Sequence, residues 1–164
     1  MRSLKVVLLI IAGVLFLPMA DQNTANAGDP IVMFDPSDPE MNEAIRQARL
    51  TLRVFFEKLV NGEAESPSIK VAVPDGDDNA EHIWMSGLSL RDDKRLEATV
   101  ANDPVYVTHL MKIGDRYAFT VDQISDWMYY RGEMIHGAYT LRVMLPRMPE
   151  DQADGFRSVL APLP

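Results

Sequence analysis

Ser68-Ile69-Lys70-Val71-Ala72-Val73-Pro74-Asp75-Gly76 is the point at which the chain changes character. Ile69, Val71 and Val73 alternate with Lys70 and Ala72, the period of a β-strand, and Pro74-Asp75-Gly76 closes it as a turn. Everything downstream repeats that grammar: short β-branched or aromatic segments separated by turn residues at intervals of roughly 8 to 12. The pattern predicts strands over residues 82–90, 96–100 and 116–119, and a short one over 105–107. Two more lie at 126–130 and 137–145. In the last of these Tyr139, Leu141, Val143 and Leu145 share one face, and Thr140 and Arg142 the other. Residues 149–160 read as a short C-terminal helix.

Upstream of Ser68 the period is helical. Asp38 suits a cap, Pro39 the first helical position, and Glu40 the positive end of the dipole. Met41, Ala44, Ile45, Ala48, Leu52, Phe55, Phe56 and Leu59 then form one apolar stripe that stops at Asn61-Gly62. The expectation is α+β: one long N-terminal helix on a strongly bent, mostly antiparallel sheet of about five to seven strands. Whether the sheet closes into a barrel stays open at this level.

Residues 1–27 read as a cleavable secretory signal peptide. Arg2 and Lys5 precede an apolar run from Val6 to Leu17, Pro18 ends it, and Ala25-Asn26-Ala27 offers a small-x-small cleavage site. A run of about 12 is short for a span that needs about 20, so an uncleaved anchor is the lesser reading. Ala20 is a second candidate cut, but Pro18 stands where a small residue is expected. Residues 28–37 read as an extended leader and 38–164 as a single domain. The chain has no cysteine, which excludes a lipid-anchored cysteine, disulfides, thiol nucleophiles and cysteine metal sites. Its 16 basic and 24 acidic residues become 14 and 23 once Arg2, Lys5 and Asp21 leave, a net charge of −9. Such a surface repels nucleic acid. The expected destination is the periplasm or the medium, with membrane contact only through the uncleaved signal.

Several segments, in order, resemble those of a bacterial family. They are residues 69–76, Glu81-His82-Ile83-Trp84, Asn102-Asp103-Pro104-Val105 and Ile113-Gly114-Asp115. Ile124-Ser125-Asp126-Trp127-Met128-Tyr129 and Gly137-Ala138-Tyr139-Thr140-Leu141-Arg142 complete the set. Over residues 41–145 the chain is similar to the DUF2314, or YegJ-like, family. The resemblance implies a single domain of that type and carries no activity, cofactor or catalytic residues with it.

The residues themselves suggest contact positions at Glu81, His82, Trp84, Asp126, Trp127 and Arg142. In a strand His82 and Trp84 share a face, as a base or ligand beside an aromatic wall, or simply as core. Asp126 is read as a ligand-facing carboxylate or as a tie for loose backbone N–H groups. Arg142 is read as binding an anion or pairing with Glu81 or Asp126. His82, His109 and His136 lack metal-site spacing, so no metal or cofactor is expected. Ser86, Ser89 and Ser125 stand in no nucleophile turn. Two main functions remain. One is a non-enzymatic envelope module that meets another exported protein or a small ligand through Trp84, Trp127, Tyr129 and Tyr130. The other is a small metal-dependent or small-molecule-processing enzyme built on His82, Asp126 and Arg142. A structural envelope protein without a discrete site is a third.

Overall fold

The computed structural model describes residues 6–9, 31–35, 37–76 and 79–164. The proposed cleavage site and most of the signal and leader lie outside them. Val6–Leu9, inside the segment read as a signal, forms strand β1, antiparallel to β2 (Ile31–Phe34). Then come helices α1 (Pro39–Leu50) and α2 (Leu52–Val60), and strands β3 (Glu65–Pro74), β4 (Ala80–Leu90), β5 (Leu96–Val100) and β6 (Arg116–Phe119). Strands β7 (Ile124–Arg131) and β8 (Met134–Gly137), and helices α3 (Tyr139–Met144) and α4 (Glu150–Val159), complete the order.

The α+β expectation holds. Six strands form an open antiparallel sheet in the order β6-β5-β4-β3-β7-β8. β1 joins its side through two parallel pairs with β4, Val7 with Glu81 and Leu8 with His82. Both faces are covered. Ile69, Val71, Ile83, Met85 and Trp127 pack with Ala48, Leu52 and Phe55 on one; Trp84 and Met128 pack with Met41, Leu141 and Met144 on the other. Among the described residues no helix is long and apolar enough to cross a membrane.

Three elements differ from expectation. The single long helix is two. Its stripe turns inward throughout, but at Thr51 the backbone leaves helical geometry (φ −98°, ψ 5°). Thr51 Oγ1 bonds the Gln47 carbonyl at 2.9 Å and the Tyr139 hydroxyl at 2.8 Å. A threonine that bonds back four residues bends a helix, and the tie to Tyr139 fixes the bend. The predicted final strand stops at Gly137. Gly137 (φ 80°) and Ala138 (φ 54°) are left-handed, and residues 139–144 turn into α3. Only glycine fits at 137, since a Cβ would lie 2.4 Å from the Trp127 carbonyl oxygen. Finally, residues 105–107 form no strand; their N–H groups go to a side chain.

Candidate functional site

A bulge decides what the sheet's interior holds. β3 pairs Lys70 with Asp126 and Val71 with Ile124, which leaves Ser125 as an extra residue in β7. Ile124 therefore stays with the core facing α2, while Ser125 and Asp126 both turn toward the face of Lys70, His82 and Trp84. Lys70, Ser125, Asp126 and Thr140 are completely buried there, and His82 nearly so.

Asp126 accepts hydrogen bonds from the backbone N–H of Trp127 (2.8 Å), Tyr139 (3.1 Å) and Thr140 (2.8 Å), and from the Thr140 hydroxyl (2.6 Å). It caps α3, whose preceding residue Ala138 has no side chain to do so. Lys70 Nζ donates to Thr140 Oγ1 at 2.7 Å and lies 4.6 Å from the Trp84 ring centre. Lysine, hydroxyl and carboxylate thus form one directed relay. Burial lowers the Lys70 ammonium to about 8 against the pull of Asp126. Burial likewise pushes the Asp126 carboxyl up, opposed by Lys70 and its hydrogen-bond donors.

His82 Nδ1 lies 2.8 Å from Ser125 Oγ, which lies 3.2 Å from the Lys70 carbonyl oxygen. A carbonyl only accepts, so the serine proton points there and the imidazole Nδ1–H donates to the serine. That is the reverse of a base drawing a proton from a nucleophile. Burial, with Lys70 and Arg49 nearby, lowers the His82 pKa to about 3 and keeps the ring neutral.

Glu81 works on the other side of β4. One oxygen accepts from the Val105 N–H at 2.7 Å; the second accepts from Tyr106 at 2.8 Å and Val107 at 3.0 Å. Asn102 completes the anchorage, its side-chain oxygen taking the Trp84 N–H at 2.8 Å. Residues 101–115 between β5 and β6 form a compact loop whose ends meet, since Val100 donates to the Asp115 carbonyl and Gly114 to the Val100 carbonyl. Asn102, Pro104, Val107 and Met111 are tucked in. Val105, Tyr106, Leu110 and Ile113 are 40, 47, 54 and 53 % exposed.

Trp127 is buried, with its indole N–H on the Ala48 carbonyl at 2.9 Å, and Trp84 is buried over Lys70. Tyr129 is buried as well and Tyr130 half-buried, so three of the four aromatic residues expected to form a contact patch are interior. Arg142 lies on a helix rather than a strand. It donates to the carbonyls of Gly137 (3.1 Å) and Ala161 (2.5 Å), fastening the C-terminal segment to β8, and bonds neither Glu81 nor Asp126. The structure therefore gathers His82, Trp84 and Asp126 on one face, sets Glu81 on the other, and uses Arg142 elsewhere. Lys70, Ser125 and Thr140 join the first group unannounced. Among the described residues no three His, Asp or Glu side chains group as a metal site.

Fold and interior define an open antiparallel α+β domain whose buried polar side chains satisfy one another and the backbone. The sequence matches the family described as an uncharacterized protein conserved in bacteria, DUF2314, over residues 38–160, and the chain belongs to that family. It is 29% identical over 153 residues to the uncharacterized protein YegJ of Escherichia coli K12, covering 93% of this chain and 97% of that one. A Neisseria meningitidis serogroup B protein named for ankyrin repeats is 26% identical over 135 residues, 76% of this chain and 53% of its own length. No solved structure matches.

Proposed function

We propose that this protein is an exported, non-enzymatic interaction module of the cell envelope, and that the loop over residues 101–115 is its contact element. The observation that carries the reading is the buried Glu81 carboxylate taking three successive backbone N–H groups of that loop. A loop held this way presents Val105, Tyr106, Leu110 and Ile113 in one fixed arrangement. An ordered contact surface loses little conformational entropy on binding. Its four exposed apolar residues fall within positions 105–113 of one loop, whereas the other large exposed ones, such as Leu50, Val60 and Leu90, are scattered through the chain. The partner is another exported protein with an apolar depression.

Support for a non-catalytic role comes from the motifs that looked most chemical. Glu81 and Asp126 spend their acceptors on backbone N–H groups, Arg142 its donors on carbonyls, and Ser125 its proton on Lys70. Support for a portable module comes from the relatives, since a similar sequence fills YegJ and about half of the Neisseria protein. Export rests on the signal-like residues 1–27 and cleavage after Ala27.

Photo-crosslinking in the exporting cell tests the reading. A crosslinker at 106, 110 or 113 is expected to trap one exported protein, and at 50 or 60 to trap none. Glu81→Gln should reduce the adduct at least tenfold while the domain stays folded. Equal labelling from both sets of positions would sink the proposal.

A further inference from the structure

β4 shares one edge between two neighbours. β5 pairs with its second half, from Met85 to Leu90, and β1 with its beginning at Glu81 and His82. β1 lies within the residues read as a cleaved export signal. Processing after Ala27 would remove it and bare the backbone groups at the start of β4, an open edge that invites pairing with other chains.

We infer that β2 then moves over by one strand position and closes this edge, antiparallel to β4, with Met33 opposite Glu81 and Val32 opposite His82. The inference rests on the export reading above. The register comes from shared partners: Val7 pairs with both Met33 and Glu81, and Leu8 with both Val32 and His82. Withdrawing the strand between them leaves those residues facing each other.

Direction favours the move. The β1–β4 contact is the one parallel pairing between described strands, whereas β2 runs antiparallel to β1 and so already antiparallel to β4. The displacement is one strand spacing, about 4.8 Å. A tether favours it too. Phe34 is four residues from Asp38, which caps α1 by accepting from the Glu40 and Met41 N–H groups at 3.0 Å, and whose own N–H bonds the Asp35 carbonyl. So short a link holds β2 at high effective concentration beside the edge. Ile-Val-Met-Phe is moreover a good strand former that loses its only partner among the described strands when β1 leaves. The exchange keeps β4 paired at Glu81, the residue that fixes the 101–115 loop, so export and cleavage leave the contact element intact.

Because the chain lacks cysteine, an introduced pair gives a clean readout. Phe34 pairs with Val6, one residue before the Val7 that faces Glu81, so the shift sets Phe34 opposite Ala80. Before the exchange these two are separated by two strand spacings, roughly 9.6 Å, beyond the ~7 Å Cα limit for a disulfide. The full chain carrying Phe34→Cys and Ala80→Cys is expressed, exported and recovered, and its N-terminus is sequenced. A Phe34→Cys/Ala80→Cys product starting at Gly28 should be mostly disulfide-bonded. A Val32→Cys/Ala80→Cys control, out of register, should be bonded at least tenfold less. In the cysteine-free processed chain, amides 80–83 should exchange at least tenfold more slowly than in its Val32→Pro variant, which breaks the new ladder. A product beginning at Gly28 with no preference between the cysteine pairs and fast exchange at 80–83 overturns the strand exchange and leaves export standing. A product still beginning at Met1 overturns both.

Discussion

Two buried carboxylates, Asp126 and Glu81, do the same chemistry and produce opposite results. Each takes three backbone N–H groups of a segment distant in sequence or, for one of Asp126's three, of its own neighbour. Asp126 draws α3 down onto the sheet, where Tyr139, Thr140, Leu141 and Met144 are buried, and a buried lysine is tied to it through Thr140. Glu81 fastens a loop that buries Val107 and Met111 but turns Tyr106 and Leu110 outward. One carboxylate closes the interior and the other builds an exterior. The difference lies in the residues beyond the captured amides, an amphipathic helix in one case and a mixture of inward and outward apolar residues in the other.

The comparison breaks most severely at Asp126. Asp126→Ala leaves the α3 N–H groups without acceptors and Lys70 without its counter-charge. Removing one partner of a buried pair costs about 3–5 kcal/mol. Most of the protein should be insoluble or unfolded at 37 °C, and urea titration of the remainder measures the loss. Glu81→Ala should cost less, about 2–3 kcal/mol, because water can reach a detached loop and replace its partners. Its signature is local: exchange of amides 105–107 should accelerate far more than that of β3 or β7. If the Asp126 and Glu81 variants lose stability equally and the loop exchanges no faster than the sheet, the division between interior and exterior carboxylate fails.

The interior also carries a pH dependence. His82 is neutral in the fold, its pKa depressed to about 3 against an ordinary 6.5. Between those values the unfolded chain binds the proton and the folded one does not, so stability rises with pH and is lost on acidification from 6.5 toward 3. The slope approaches 1.4 kcal/mol per unit, or about 2 kcal/mol by pH 5. Lys70, lowered from 10.5 to about 8, acts in the same direction at the other end, adding stability as pH rises from about 8 toward 10.5. Denaturant midpoints for the native chain and His82→Gln, read from pH 4 to 7, check the first; the variant should show a visibly flatter acid limb.

How much of this was legible differs between the same two regions. The helix stripe, the turns and most strands are local patterns, and the α+β sheet is built from them. The final strand misled because alternation at Tyr139, Leu141 and Val143 fits a strand, while the cause of the helix, Asp126 and two left-handed residues, lies in tertiary contact. The Lys70–Thr140–Asp126 relay depends on the Ser125 bulge, and one inserted residue in a ladder has no signature in a single sequence. Glu81 stood out as chemical, and its partners did not, because backbone N–H groups carry no residue identity. The short strand expected at residues 105–107 was the nearest hint: those residues do find a hydrogen-bonding partner, but it is a carboxylate.

The smallest stability change carries the sharpest test of the exterior half. Leu110 is 54 % exposed and Tyr106 47 %, and the bond that ties Tyr106 to Glu81 runs through its backbone N–H. Leu110→Ser and Tyr106→Ser should each shift unfolding by about 0.5 kcal/mol or less, the usual range for surface positions. The minority of residues that anchor an interface, the role assigned to these two, lose more than about 1 kcal/mol of binding on truncation, at least a roughly fivefold loss. The two effects therefore separate, with stability nearly unchanged and the crosslinked partner largely lost. Glu81→Gln should give the same loss of partner with a measurable loss of loop protection, because it disorders the residues instead of deleting them. If truncating the exposed residues leaves the adduct intact while Glu81→Gln removes it, the contact belongs to the loop backbone or to β4 beside it, and the role assigned to the apolar tips is wrong.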